Sequence, residues 1–205
     1  MLKYKIVNTI FVISLINASG AYDIGSSAGK NNWDISITLN PFNLIDYGQD
    51  YLVISYGLTN EIDIVNYISK HYNGTKSYYL GGLYQFIDNN QLDLSTAIGV
   101  RKVFNIEKSN DLFFPQILYN YKLNNKYSIG GSIVSVGKIY HKSIKHTGIS
   151  IDLGLYKQLP FIYKINKSIK DAYFGFGIFK NAEMKLLPDR IYFHYSFDFK
   201  LDLNS

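Results

Sequence analysis

A histidine and a serine separated by one residue form the arrangement in this sequence that comes nearest to a catalytic site. In His141-Lys142-Ser143, the imidazole could take the hydroxyl proton and prepare the serine to attack an ester. A histidine works best in this role when a carboxylate fixes its tautomer. The nearest acids along the chain are Asp111 and Asp152, 30 residues before and 11 after the histidine. The sequence leaves an enzyme open but favours a non-enzymatic protein, with His141 and Ser143 in a solvated loop.

Other polar groupings indicate electrostatic contacts rather than chemistry. No carboxylate completes a metal site with the histidines at a recognisable spacing, and the glycines form no phosphate-binding motif. We therefore expect no metal and no cofactor. Basic residues recur in segments expected at one rim of the molecule, where they either contact lipid phosphates or are simply solvated. The candidates for phosphate contact are Lys70, Lys76, Lys142, Lys145, Lys185 and Arg190.

The composition limits the class of protein. A chain of 205 residues suits a single domain, and 47% hydrophobic against 18% charged residues excludes a disordered chain. The absence of cysteine excludes a disulfide scaffold, a thiolate metal site and a cysteine nucleophile. The net charge is +5, and the chain has no run of five basic residues, so we expect no nucleic-acid partner.

The first 21 residues have the pattern of a secretory signal peptide. Lys3 and Lys5 precede an apolar stretch from Ile6 to Ile16, and small residues follow up to Ala21. The apolar stretch is shorter than the ~20 residues that a transmembrane helix needs, which disfavours a membrane anchor. We expect residues 1–21 to be removed on export and residues 22–205 to form one domain.

Beyond the signal peptide, apolar and polar residues alternate with the period of two that is typical of β-strands. From Ile191 to Leu203, large apolar residues occupy every odd position and mainly polar residues every even one. The other nine predicted strands are 33–40, 51–58, 62–69, 77–87, 92–101, 113–123, 127–133, 149–156 and 172–179.

Short polar turns alternate with longer connections along most of the chain. The short turns are 59–60, 88–91 and 124–125, and the longer connections are 41–50, 70–76, 104–111, 141–147 and 181–190. This alternation predicts an all-β fold, an antiparallel up-and-down transmembrane barrel of about ten strands. Residues 157–170 interrupt the pattern, because fourteen residues stand where a short turn is expected. They are either an elaborated turn with a small plug or helix, or a misassigned strand, so eight or twelve strands stay open.

The polar face of the strands favours a membrane barrel over a soluble one. It consists of small residues and isolated charges, and it lacks the dense Lys/Glu alternation that keeps a soluble sheet in solution. In a narrow barrel such charges would meet in the lumen and pair. The polar residues expected in the lumen are Asp34, Asp93, Arg101, Asp152, His194, Asp198 and Lys200. A soluble secreted β-barrel that binds an apolar ligand in its interior is the alternative.

In its architecture the sequence resembles small bacterial outer-membrane β-barrel proteins. The resemblance lies in the signal peptide, in the segment from Ser55 to Asp63 and in the aromatic-rich last strand from Tyr192 to Leu203. It implies a Gram-negative outer membrane, assembly by the barrel-insertion machinery and contact with lipid, including lipopolysaccharide. We expect the protein to be a monomer. We expect its role to be structural or that of a narrow, porin-like barrel, because ten strands enclose little free space.

The spacing of His141 and Ser143 also resembles the catalytic pair of the barrel lipid A deacylases. That resemblance implies a second hypothesis, a lipid A esterase acting at the rim of the barrel. The deacylases usually continue the pair with Asn, whereas Ile144 follows here. A non-enzymatic outer-membrane barrel is therefore the main prediction, and the esterase is its alternative.

Overall fold

The alternating segments form ten antiparallel strands. The computed structural model describes residues 25–38, 49–71, 74–104, 110–140, 143–180 and 192–202. The strands are β1 (Asn32–Thr38), β2 (Gln49–Gly57), β3 (Ile62–His71), β4 (Lys76–Asp88), β5 (Leu92–Val103), β6 (Asn110–Lys122), β7 (Tyr127–Tyr140), β8 (Ser143–Gln158), β9 (Ile169–Lys180) and β10 (Tyr192–Asp202). A short helix, α1 (Phe161–Ile165), lies between β8 and β9. None of the described helical residues forms a helix long and apolar enough to cross a membrane.

The sheet closes on itself. Each strand pairs with its neighbours in the sequence, and β1 pairs with β10 along a register that runs from Asn32↔Asp202 to Thr38↔Ser196. A closed sheet leaves no edge strand for pairing with another chain. The predicted up-and-down barrel of ten strands is confirmed, and the alternatives of eight and twelve strands are wrong.

The two ends of the barrel differ in their connections. The connections after β2, β4, β6 and β8 lie at one end with the start of β1 and the end of β10, and we call this the turn end. We call the opposite end the loop end. At the turn end, Asn89 Oδ1 accepts from the Leu92 backbone N–H at 2.8 Å, and Asn124 Oδ1 accepts from that of Tyr127 at 3.1 Å. Asparagine stabilises tight turns in this way, which is why these turns were predictable.

The predicted connection 141–147 is wrong. Strand β8 begins at Ser143, which is in register with Tyr140 of β7, so two residues separate these strands. Its pairing with β9 starts only at Ile151, which is in register with Lys180. The basic, polar composition of residues 141–147 is typical of a loop, but backbone pairing with β7 continues through most of them.

The outer surface of the barrel is apolar. On β8, Ile151 and Leu153 are 47% and 41% exposed, whereas Asp152 between them is 3% exposed. A soluble barrel directs its apolar face inward. The observed polarity is the reverse, so it does not support the soluble alternative.

Aromatic rings lie on the outer surface near both ends of the strands. On β4, Tyr78 is exposed towards the loop end and Phe86 towards the turn end, with Leu80 exposed between them. Eight residues of strand separate the two rings by roughly 26 Å along the strand. The apolar band of a transmembrane barrel is about 25 Å tall and is bordered by aromatic residues at both interfaces.

Candidate functional site: the barrel lumen

The half of the lumen nearer the loop end is filled by four aromatic side chains, which we call the aromatic ladder. The Tyr51 ring meets the Tyr67 ring edge-on at 5.4 Å between centroids, and Tyr67 stacks on Tyr79 at 4.7 Å. The Phe113 ring follows at 5.6 Å from Tyr79. None of the four is more than 7% exposed, so this half of the lumen is a packed core.

An ion pair adjoins the aromatic ladder. Both Nη2 and Nε of Arg101 donate to Asp111 Oδ2, at 2.7 and 3.2 Å, and both residues are buried. The guanidinium carbon also lies 5.1 Å from the centroid of Phe113. Both donors reach the same carboxylate oxygen and the guanidinium stacks on an aromatic ring, so the two buried charges compensate each other within the core.

The half of the lumen nearer the turn end is polar and contains a cavity of about 460 Å³, which we call the cup. Its described lining includes six acids and two lysines, which gives it a negative balance. The charged lining residues are Asp34, Glu61, Asp88, Asp93, Asp171, Asp198, Lys122 and Lys200.

Several of these charges are fixed by hydrogen bonds. Lys122 Nζ lies 2.9 Å from Asp93 Oδ1, and Lys200 Nζ donates to the Ser27 carbonyl at 2.7 Å. Gln158 Nε2 donates to Asp171 Oδ1 at 2.9 Å. The lining of the cup is therefore held in place by hydrogen bonds between its side chains and to the backbone.

Residues 25–29, which we call the N-terminal strap, lie inside the barrel, and the exposed Lys30 and Asn31 connect the strap to β1. The Ser27 backbone N–H donates to Gln85 Oε1 at 2.7 Å, and that of Ala28 donates to Asp63 Oδ2 at 2.7 Å. The Ser95 hydroxyl donates to the Gly25 carbonyl at 2.5 Å. The strap is thus bound to β3, β4 and β5, and through Lys200 also to β10.

A tight turn directs the strap back into the lumen. Gly29 has a φ of 80°, a conformation that glycine adopts without strain, and its carbonyl accepts from the Asn32 N–H at 3.0 Å. At the other end of the strap, a Cβ on Gly25 would lie 2.6 Å from the backbone carbonyl carbon of Leu118. Only small residues fit such a narrow passage, and the sequence of the strap is Gly-Ser-Ser-Ala-Gly.

Packing in the lumen involves every strand. Each of the ten contributes at least one buried residue that faces inward, so the described residues leave no open channel of porin width through the barrel. These residues are Ser36, Val53, Val65, Leu83, Ala97, Leu118, Ser132, Asp152, Gly175 and Ser196.

The polar residues expected in the lumen occupy two places. Asp34, Asp93, Asp198 and Lys200 line the cup, whereas Arg101 and Asp152, 4% and 3% exposed, lie on inward faces outside it. His194 belongs to β10, but its side chain lies outside the described part of the structure.

The partners of two of these charges and the strap are not predicted from the sequence. Asp111, which pairs with Arg101, falls in the predicted connection 104–111, because the predicted strand begins at Phe113. Lys122, which pairs with Asp93, lies in the predicted strand 113–123 but is not among the residues expected in the lumen. The run of five small residues before β1 was the available signal for the strap.

The predicted rim residues are only partly within the described structure. Lys70 and Lys76 are in register at the loop end and exposed, and Lys145 is exposed near the start of β8. Ser143 is exposed at the first position of β8. No group of metal-binding side chains occurs among the described residues. The predictions for His141, Lys142, Lys185, Arg190 and the signal peptide lie outside them.

Comparisons with known proteins returned solved structures but no sequence family. No family model matches the chain, and no curated protein matches it. The solved KdgM porin has a TM-score of 0.43 at 10% identity, covering 84% of this chain and 99% of its own, and its complex with disordered oligogalacturonate has a TM-score of 0.45 with the same identity and coverage. A bacterial polysaccharide outer membrane secretin has a TM-score of 0.39 at 10% identity, covering 85% of this chain and 66% of its own.

The architecture itself is distinctive. A closed antiparallel sheet presents apolar residues outward, with aromatic rings near both ends, and holds most of its buried charges inside. Only a hydrocarbon surround makes this polarity favourable, and only a closed barrel satisfies every strand edge within it. The chain is a small, closed, ten-stranded β-barrel of the transmembrane type.

Proposed function

We propose that this chain is a non-enzymatic, integral protein of a Gram-negative outer membrane whose lumen is closed at rest. The observation that carries the proposal is the reversed polarity of the barrel, with Ile151 and Leu153 outward and Asp152 inward on one strand. Moving this apolar belt from lipid into water would be strongly unfavourable, because each CH₂ group kept out of water contributes ≈0.8 kcal/mol.

The same proposal covers export and assembly. Residues 1–21 act as a signal peptide, the barrel-insertion machinery inserts the mature chain as a monomer, and the loop end meets lipopolysaccharide. Lys70 and Lys76, adjacent and exposed at that end, support contact with lipid phosphates. The turn end then faces the periplasm, as short turns do in barrels of this type.

We further propose that the lumen is a narrow pore closed at two levels, by the aromatic ladder towards the loop end and by the strap towards the turn end. Ala28 is 1% exposed, and the strap is bound to four strands by buried or half-buried groups. Removing the strap would enlarge the cup towards the aromatic ladder. The negative lining of the cup would then favour cations over anions.

The membrane part of the proposal is tested by fractionation. The protein should stay in envelope membranes after carbonate or urea washing, and its folded form should migrate differently from the boiled form on a gel. Release into the soluble fraction would contradict the proposal.

The pore part is tested by ion conductance in planar bilayers. The wild-type barrel should conduct little, and so should a variant lacking residues 25–29, because the aromatic ladder is still in place. A variant that lacks residues 25–29 and also carries Tyr67→Ala and Tyr79→Ala should conduct more, with a reversal potential that indicates cation preference. The heat-dependent gel shift shows whether each variant is folded. If the combined variant is folded and conducts no more than wild type, the pore is contradicted and a structural role remains.

A further inference from the structure

The connection between β8 and β9 is unlike the other connections at the turn end. It contains the five-residue helix α1, and residues 157–170 include four lysines and no acid. A helix this short is unstable by itself in water, so its surroundings must stabilise it.

The connection folds against the outside wall of the barrel. The Leu159 N–H donates to the Ala172 carbonyl at 2.7 Å. Ala172 faces outward, because it alternates with Asp171 and Tyr173, which line the cup, and yet it is only 3% exposed. Among the described elements, α1 contacts β9 alone. The helix therefore lies beside the barrel and does not close its mouth.

The helix presents large apolar side chains to its surroundings. Phe161, Tyr163 and Ile165 are 55%, 52% and 77% exposed. Their neighbours along the outside wall are part of the apolar belt, since Leu155 on β8 is 48% exposed and Phe176 on β9 is 40% exposed. The apolar surface of α1 is thus continuous with the surface that faces lipid.

The lysines surround this apolar surface. Lys157, Lys164 and Lys167 are exposed, and Lys170 Nζ lies 3.0 Å from Asp202 Oδ2 at the end of β10. Lysine stems can lie along an apolar surface while the ammonium groups reach the polar layer above it. Apolar and aromatic residues bordered by lysine are typical of segments that lie in a membrane interface.

We propose that the β8–β9 connection (residues 159–168) is an interfacial anchor that binds anionic phospholipid of the leaflet at the turn end. Phe161 and Ile165 enter the boundary between headgroups and acyl chains. Lys164 and Lys167 contact the lipid phosphates. This inference rests on the proposed membrane location, since it requires the apolar belt to be in a bilayer.

A single labelled cysteine tests the inference in the intact barrel, because the chain has no native cysteine. Ile165→Cys and, as a matched control in another exposed turn, Asn125→Cys are each labelled with an environment-sensitive fluorophore. Each protein is refolded into phosphatidylcholine vesicles with or without phosphatidylglycerol. The label at position 165 should emit at a shorter wavelength than the label at position 125, because it is shielded from water. Nitroxide lipids should quench the label at position 165 and not the label at position 125.

The electrostatic part has its own variant. Adding Lys164→Gln and Lys167→Gln to Ile165→Cys should reduce nitroxide quenching in vesicles containing phosphatidylglycerol, and high salt should do the same. If quenching is the same with and without phosphatidylglycerol, both in Ile165→Cys alone and in the variant that also carries the two glutamines, lipid charge has no role in binding.

The outcomes separate this inference from the proposed function. A barrel that shows the gel shift in vesicles but keeps position 165 in water overturns the anchor and leaves the membrane location intact. A chain that does not insert contradicts the proposed function itself. A label that is exposed in vesicles but protected in native envelopes indicates a protein partner and also overturns the lipid anchor.

Discussion

The ring of Tyr79 on β4 lies directly over Gly99 on β5, so that a Cβ added to Gly99 would overlap the ring. The same tyrosine covers Gly81 of its own strand, and Gln116 Nε2 donates to its hydroxyl at 3.1 Å. Because glycine has no side chain, Gly81 and Gly99 leave room for the Tyr79 ring to lie flat against the barrel wall.

Gly99→Ala should therefore destabilise the barrel by about 1–3 kcal/mol, the usual cost of overpacking a core. Gly82→Ala is the control, because the nearest atom to its added Cβ is 3.8 Å away. The free energy of unfolding in urea, with the barrel in detergent or vesicles, is the measurement. Equal effects of the two substitutions would contradict the packing argument.

Asp111→Ala should cost about 3–5 kcal/mol, because it leaves the buried Arg101 guanidinium without its carboxylate. The double variant Arg101→Met and Asp111→Leu should recover most of this loss, since it removes both charges at similar volume. Urea unfolding of the single and double variants checks the prediction. It fails if the double variant is as unstable as the single one.

Leu153→Arg should destabilise the inserted barrel by up to about 2–4 kcal/mol, the cost of an arginine near the midplane on the lipid face. Leu153 is outward and 41% exposed. Leu153→Val is the control, because it keeps the surface apolar. Folding titrations in vesicles give the free energies, and similar values for the two variants would contradict lipid exposure.

The topology predicts opposite labelling of the two ends. Asn110→Cys, exposed at the loop end, should react with a membrane-impermeant maleimide on whole cells, and Asn125→Cys, exposed at the turn end, should react only after lysis. The reverse pattern would show that the turn end faces outward.

The esterase alternative predicts that Ser143 forms an acyl-enzyme. Since the acids nearest to His141 along the chain are 30 residues before it and 11 after it, no acid close in sequence orients the imidazole, and we expect Ser143→Ala to leave lipid A unchanged in cells that express the folded barrel. Mass spectrometry of extracted lipid A is the measurement. Loss of a deacylated species in the variant, with the gel shift preserved, would establish the enzyme instead.

The fold was predictable because alternation is a local signal, whereas the contents of the lumen were not. Period-two patterns located all ten strands, since each strand side faces either lipid or the interior. The strap was missed because its hydrogen bonds join Gly25–Gly29 to residues such as Gln85 and Ser95, far along the chain. The start of β8 was missed for a related reason, because pairing with β7, and not composition, makes residues 143–147 a strand.

The strap also constrains the order in which the barrel can be built. Lys200 of the last strand donates to the Ser27 carbonyl, so the strap and the last strand are hydrogen-bonded to each other inside the barrel. The strap cannot enter through the wall once β1 and β10 have paired, because a closed seam leaves no lateral entrance. An affinity tag placed directly before residue 25 would be attached to a buried position inside the lumen. Tags for purification or display therefore belong in connections at the loop end.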